Sequence, residues 1–268
     1  MKCERPVIER GHDDWSTRPR VPMCLHLSES DIHIVRIELD SVDVTDEQWT
    51  LLDEDERRRA ERFVHESDRR RFVVAHALTR IILGRCVSRL PQSLRFAVAS
   101  HGKPTLAEPS GRLRFNLSHA GDLALLAISH DHELGVDIEC DRPIEALDLA
   151  SRFFSPGEYI ALSSLPPQQR QEAFFRCWSR KESFIKALGD GLSFPLDGFE
   201  VSLADEPTDE SGGQILLACQ AAPIELERWT IASLPIDRGY TAAVTASGRS
   251  WEMVRWQQPE SVRGRGSC

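Results

Sequence analysis

Lysine is scarce in this 268-residue chain. Of its 33 basic residues only Lys2, Lys103, Lys181 and Lys186 are lysine; the rest are arginine. Where arginine serves for general charge, the few lysines kept are candidates for places that need a compact ammonium. Positive charge as a whole is in deficit. With 42 acidic residues the formal net charge is −9, which excludes a general nucleic-acid binder, since that role needs an excess of basic surface. Long apolar runs are missing too. No stretch approaches the ~20 residues of a membrane span, and residues 1–22 hold no apolar signal-peptide region. The seven cysteines are scattered and form no CxxC pair. Neither a disulfide framework nor a structural zinc site is expected, and a reducing cytoplasm fits best.

What is present is ordinary for a globular chain: 41% apolar and 28% charged residues. At about 150 residues per domain the length corresponds to roughly 1.8 domains. Residues 1–25 carry Pro6, Gly11, Pro19 and Pro22 with little apolar periodicity and read as a loose extension. Residues 251–268 end in Arg-Gly-Arg-Gly-Ser-Cys and read as a tail.

Between them the pattern alternates strands and helices. Asp31–Leu39, Phe96–Ala99, Leu113–Leu117, Leu123–Ser129 and Leu134–Glu139 read as strands, as do Phe199–Leu203, Ile215–Ala218, Arg228–Ser233 and Tyr240–Thr245. Helices are expected over Thr45–Arg62, Asp68–Leu83, Leu147–Phe154, Pro156–Ser163 and Gln169–Leu188, with Thr45 and Asp46 as caps of the first. A weak echo links Ala60-Glu-Arg-Phe-Val-His with Ala150-Ser-Arg-Phe-Phe-Ser; each precedes helical sequence, ending at Gly84 and Gly189.

Five groups of residues can carry chemistry. In Gly135-Val-Asp-Ile-Glu139, strand alternation sends Val136 and Ile138 to one face and the carboxylates of Asp137 and Glu139 to the other. Adjacent carboxylates repel unless a cation separates them, and such oxygen ligands suit magnesium; a solvated strand face gives the same pattern. In the block from Trp178 to Gly189, Glu182 and Lys186 stand four apart on one helix face. That is the spacing of a plain surface pair. It also fits a third carboxylate joined to a phosphate-binding lysine. His101-Gly-Lys-Pro104 is a turn around Lys103 that can present an ammonium to an anion. Phe115-Asn-Leu-Ser-His119 ends a strand with Ser118 and His119, adjacent residues that face opposite ways and so do not form a nucleophile and its base. From Arg57 to Arg71 the chain holds seven arginines against Glu61, Glu66 and Asp68. Most such runs are solvated helix faces, though a few of these can receive phosphate bidentately.

Taken in order, the Gly-Lys-Pro, Phe-Asn-Leu-Ser-His, Gly-Val-Asp-Ile-Glu and Phe-Phe-Ser-Pro-Gly-Glu-Tyr segments and the Trp-Ser-Arg-Lys-Glu block resemble the 4′-phosphopantetheinyl transferase superfamily. The likeness is to its monomeric, two-lobed branch and runs from about Thr45 to Val201, more loosely to Thr245. It implies an α+β fold of two similar α/β lobes related by a pseudo-two-fold, residues 26–133 and 134–250, flanked by the extension 1–25 and the tail 251–268. It implies transfer of the phosphopantetheine arm of coenzyme A to a serine of an apo acyl or peptidyl carrier protein. That work would be cytoplasmic, with no nucleic-acid or membrane partner.

Residue by residue, the resemblance makes Asp137, Glu139 and Glu182 ligands of magnesium, with manganese as the alternative. Glu182 is also the candidate base for the carrier serine. Lys181 and Lys186 fall on the family's lysines, with Lys186 at the coenzyme A pyrophosphate. Lys103, Ser118 and His119 match the adenine and 3′-phosphate end, and Arg71 and Arg59 match contacts to the 3′-phosphate. Trp178 and Glu158 are assigned support. Glu56 stands where a relative has a basic phosphate contact. Phe153, Phe154 and the segment Leu147–Leu165 lie where relatives dock carriers. The alternatives are a coenzyme A or carrier-protein binder without turnover, and a metal-dependent phosphohydrolase, for which His119 alone supplies too few ligands.

Overall fold

A computed structural model describes residues 15–40, 44–99, 102–108, 111–189, 194–204, 216–219 and 225–259. Residues 1–14 of the expected extension, residues 260–268 of the expected tail, and Ile215 lie outside them.

Two sheets, each backed by a 22-residue helix, make the body. The first sheet has the order β11–β1–β5–β4, from strands β1 (Asp31–Glu38), β4 (Arg114–Ala120), β5 (Leu123–Ser129) and β11 (Glu252–Gln257). Helix α3 (Glu66–Val87) packs on it through Val74, Ala75, Leu78, Ile81 and Ile82, against Val35, Ile37, Leu126 and Ile128. The second sheet has the order β6–β10–β9, from β6 (Leu134–Cys140), β9 (Trp229–Leu234) and β10 (Tyr240–Ser247). Helix α6 (Pro167–Leu188) lies against it. Helices α4 (Ala146–Phe153) and α5 (Pro156–Ser164) complete a core around Phe154, Phe174, Phe175, Phe184 and Phe199. Phe199 opens β7 (Phe199–Val201), which pairs with β8 (Leu216–Cys219). The first half of the echo leads into α3, which runs past Gly84 to a left-handed cap at Ser88; the second leads into α5, and α6, which follows, ends at the left-handed Gly189.

The faces turned away from the helices meet each other. Ile32, Ile34, Leu123, Leu125 and Ala127 of the first sheet share a core with Val136, Ile138, Ala242 and Val244 of the second. This explains the imperfect alternation of β1 and the unbroken apolar run of β5: both faces are buried, so the period of two is blurred.

Several expectations are corrected. Glu252–Gln257 is not tail but a strand, parallel to β1 and in register from Asp31 against Glu252 to Arg36 against Gln257. The first lobe is therefore built from both ends of the chain. Residues 15–25 are not loose: Trp15, Val21 and Leu25 are buried. Trp15 Nε1 donates to Pro235 O (2.6 Å), and Gln257 Nε2 donates to Trp15 O (2.7 Å). The helix expected over Thr45–Arg62 is two, α1 (Asp46–Leu51) and α2 (Glu54–Ala60). Thr45 with Gln48 and Asp53 with Glu56 each form a capping box, so a second start signal interrupts the pattern. Strand β3 (Pro104–Glu108), paired with β2 (Arg95–Val98), lacked the alternation that would have announced it. Cys86, Cys140, Cys177 and Cys219 are free thiols. Among the described residues no helix is long and apolar enough to cross a membrane.

Candidate active site

The site forms where the two sheets meet edge to edge. One edge of β4 is paired to β5 and one edge of β6 to β10. Their other edges face each other, and Asn116 Oδ1 accepts the backbone N–H of Val136 (2.9 Å). A side chain thus takes the place of a ladder hydrogen bond. Asn116 was present in the Phe-Asn-Leu-Ser-His motif, but nothing in the sequence marked it as the joint.

Helix α6 comes down on this seam with unusual closeness. A Cβ on Gly135 would lie 2.2 Å from Ser183 O and 2.4 Å from Ala187 N. Glycine is required there because the helix backbone occupies the side-chain position. One turn of α6 then presents Glu182 and Lys186 to the carboxylate face of β6.

The central contact is a triad of polar atoms, buried at Asp137 and Ser118 and half-buried at Lys186. Lys186 Nζ donates to Asp137 Oδ1 (2.5 Å) and to Ser118 Oγ (3.1 Å), while Ser118 Oγ–H donates to the same Oδ1 (3.1 Å). Asp137 is buried, not solvated as a free strand face would be. Its other oxygen, Oδ2, is buried without a hydrogen-bond partner. Burial pushes the Asp137 carboxyl up to about 7, against the pull of Lys186, and Glu139 and Glu182 push in the same direction as burial. Glu182 is raised likewise by burial, with Lys186 opposing and Glu139 adding. Asp137 thus feels like-charge repulsion from both Glu139 and Glu182, with Lys186 as the opposing ammonium. Glu139 Oε2 accepts from Arg142 Nη1 (3.0 Å) at the outer side.

The other expected site residues come from β4, α2 and α3. His119 lies on the exposed side of β4. Its imidazole is shifted below the ordinary value by local desolvation first, then by His76, Lys186 and Arg71. Arg71, on α3, is clamped by Asp40 through Nε to Oδ1 (3.0 Å) and Nη2 to Oδ2 (2.6 Å). Arg59 is exposed, with its guanidinium 5.4 Å from the centroid of the Phe72 ring. Glu56 is spent inside the first lobe, pairing with His76 Nδ1 (2.9 Å) and Arg80 Nε (2.6 Å).

Two expected site residues are not there. Lys181 is fully buried on the opposite side of α6: Nζ pairs with Glu158 (2.8 Å) and donates to Leu196 O and Phe199 O (both 2.6 Å). All three of its hydrogens are used, so it holds the second lobe together and cannot reach a cofactor. Glu158 has the supporting role expected of it, capping α5 through Ser155 N and accepting Val201 N–H. Lys103 is close by, yet its ammonium donates to Leu134 O (2.8 Å) and Ala187 O (3.3 Å) and is not presented to an anion. It pins β6 to the end of α6 on either side of Gly135. Trp178 packs on Phe174 and edge-on to Phe153, as a support residue would.

As a cation site the carboxylate cluster has the right chemistry: hard oxygen donors, mutual repulsion and a buried oxygen lacking a partner. Among the described residues the one group of three ligand-type side chains with ligand atoms within 4.8 Å of each other lies elsewhere, at Glu29, His130 and Asp131. There Arg112 already pairs with both carboxylates.

Comparison with known proteins identifies the family. The family model described as the 4′-phosphopantetheinyl transferase superfamily matches residues 133–245, and that of the 4′-phosphopantetheinyl transferase N-terminal region matches residues 43–131. The 4′-phosphopantetheinyl transferase HetI of Nostoc is 37% identical over 239 residues, covering 88% of this chain and 95% of that protein. The 4′-phosphopantetheinyl transferase Sfp of Bacillus subtilis is 33% identical over 199 residues, covering 74% and 83%. Another from Bacillus subtilis, ffp, is 33% identical over 208 residues, covering 77% and 87%.

Proposed function

The chain belongs to the 4′-phosphopantetheinyl transferase superfamily and is a phosphopantetheinyl transferase; from that premise we propose that it transfers the arm of coenzyme A to a serine of an apo acyl or peptidyl carrier protein. It acts as a cytoplasmic monomer. The observation that carries the reading is the unpartnered, buried Asp137 Oδ2 beside Glu139, Glu182 and the Lys186–Ser118 pair.

Asp137, Glu139 and Glu182 would hold magnesium, with manganese the alternative, and the ion would supply neutralising charge to the coenzyme A pyrophosphate. Lys186 neutralises the same group from the helix side. The serine oxygen attacks the phosphorus that bears the pantetheine. The bond from that phosphorus to the bridging oxygen breaks, and 3′,5′-ADP leaves with that oxygen. The serine proton passes to Glu182, directly or through a water. No enzyme nucleophile is needed, because phosphoryl transfer depends on alignment and charge neutralisation. His119, Arg71 and Arg59 would receive the 3′-phosphate.

Intact mass spectrometry tests this. Incubated with coenzyme A, magnesium and several apo carriers, the protein should add the mass of one phosphopantetheine arm to at least one of them. Binding of coenzyme A with no mass gain on any carrier would leave a binding module in place of an enzyme.

A further inference from the structure

Asp40 follows β1 and reaches across to two consecutive arginines of α3. Its Oδ1 accepts from Arg70 Nη2 (3.0 Å) and Arg71 Nε (3.0 Å), and its Oδ2 accepts from Arg71 Nη2 (2.6 Å). The two contacts to Arg71 are side-on: they take the Nε hydrogen and one hydrogen of Nη2. The end-on edge of the guanidinium keeps both hydrogens of Nη1 and the second of Nη2, the geometry that receives a phosphate bidentately. Arg71 also lies within electrostatic reach of His119. The clamped arginine and the imidazole therefore come from different elements, α3 and β4, toward one region.

We propose that Asp40 is a positioning residue for substrate choice: by holding Arg71 side-on it presents the free edge of the guanidinium to the 3′-phosphate monoester of coenzyme A, and so separates coenzyme A from its 3′-dephospho form. Asp40 touches neither the reacting phosphorus nor the carboxylate cluster; it acts through Arg71. A long side chain held in one orientation loses little freedom on binding, and that is how the clamp raises affinity. The inference rests on the transferase reading given above.

The opposite role for the same contact is a mask, in which Asp40 competes with the phosphate for Arg71. A third is a plain surface ion pair, which contributes little to anything. Calorimetric titration of coenzyme A and of 3′-dephospho-coenzyme A, with steady-state transfer of both, separates the three. In the wild type, coenzyme A should bind more tightly than the 3′-dephospho form, by about tenfold or more for one charge-assisted contact. In Asp40→Ala and Asp40→Asn that preference should fall most of the way to parity. The loss should appear as a higher Kd and KM for coenzyme A, with kcat and the 3′-dephospho values little changed. Asp40→Glu should restore part of it. In Arg71→Ala the preference should fall at least as far, and adding Asp40→Ala should lower it no further. Tighter coenzyme A binding in Asp40→Ala, or an unchanged preference, would overturn the proposal while the transferase reading stood. Absence of both binding and transfer in the wild type would instead remove the reading on which it rests.

Discussion

The carbonyl oxygen of Ser183 lies 2.2 Å from where a Cβ on Gly135 would stand. The strand carrying two of the site's carboxylates and the helix carrying the third are thus in backbone contact. Everything between Asp137 and Lys186 depends on that distance.

Gly135→Ala should therefore damage fold and site together. The obstructing atoms are backbone and cannot rotate aside, so the helix must lift off the strand. A cost of about 1–3 kcal/mol or more is expected for such overpacking, read as a lower midpoint in urea. Transfer activity should fall more steeply than the folded fraction, because the 2.5 Å contact of Lys186 with Asp137 is broken. Wild-type activity and stability in this variant would show that the helix yields easily.

Lys181→Met should unfold more readily without touching the cofactor. It strips the buried Glu158 of its one ammonium, and breaking such a pair costs about 3–5 kcal/mol. The double variant Glu158→Gln, Lys181→Met should recover much of that loss, since no unpaired charge remains. Where Lys181→Met is folded, its KM for coenzyme A should match the wild type. A tenfold rise at unchanged stability would return Lys181 to the site.

Lys186→Arg keeps the charge and should still fail. The single nitrogen now sits between Asp137 Oδ1 (2.5 Å) and Ser118 Oγ (3.1 Å), and a planar guanidinium is too wide for that notch. A fall in kcat of about 100-fold is expected, in line with losing one aligned donor at a developing charge. Circular dichroism should show the fold intact, and near-normal turnover would mean that charge alone suffices.

The first lobe should loosen in acid through His33. This buried imidazole accepts the Trp256 indole N–H at Nδ1 (2.9 Å), which joins β11 to β1. Burial lowers its pKa from 6.5 to about 4, with Asp31 opposing. The unfolded chain therefore binds the proton more readily. Stability from this group is full above pH ~6.5 and is lost as the pH falls toward ~4, by at most about 3 kcal/mol. Protonation also turns the acceptor into a donor that faces another donor. His33→Asn keeps an acceptor and does not titrate, so its denaturation midpoint should decline less over that range. Parallel curves for the two proteins would refute the role.

Much of the site is legible in the amino-acid sequence itself. Motif order marks the family, and strand alternation puts Asp137 and Glu139 on one face. The spacing of Glu182 and Lys186 puts both on one side of α6, and Thr45 marks a helix start. Those are local properties, set by side-chain periodicity and capping within a few residues. The misreadings share another cause. Lys181 lies one residue from Glu182, yet it points to the opposite side of the helix, into a pocket built by Leu196, Phe199 and Glu158. Lys103 sits in a turn that looks exposed, but its partners Leu134 and Ala187 lie 31 and 84 residues away. Glu252–Gln257 looks like tail because a short parallel strand is recognisable only beside its partner, β1.

The scarcity of lysine carries the same division. The sequence alone determined that three of the four lysines fall within the motifs that resemble a coenzyme A site. Only the tertiary structure decided their work: Lys186 faces the carboxylates, Lys103 ties strand to helix, and Lys181 neutralises a buried glutamate. The reason is physical. Which atoms an ammonium meets is fixed by contacts between distant segments, and no local pattern encodes which of those contacts will lie under it.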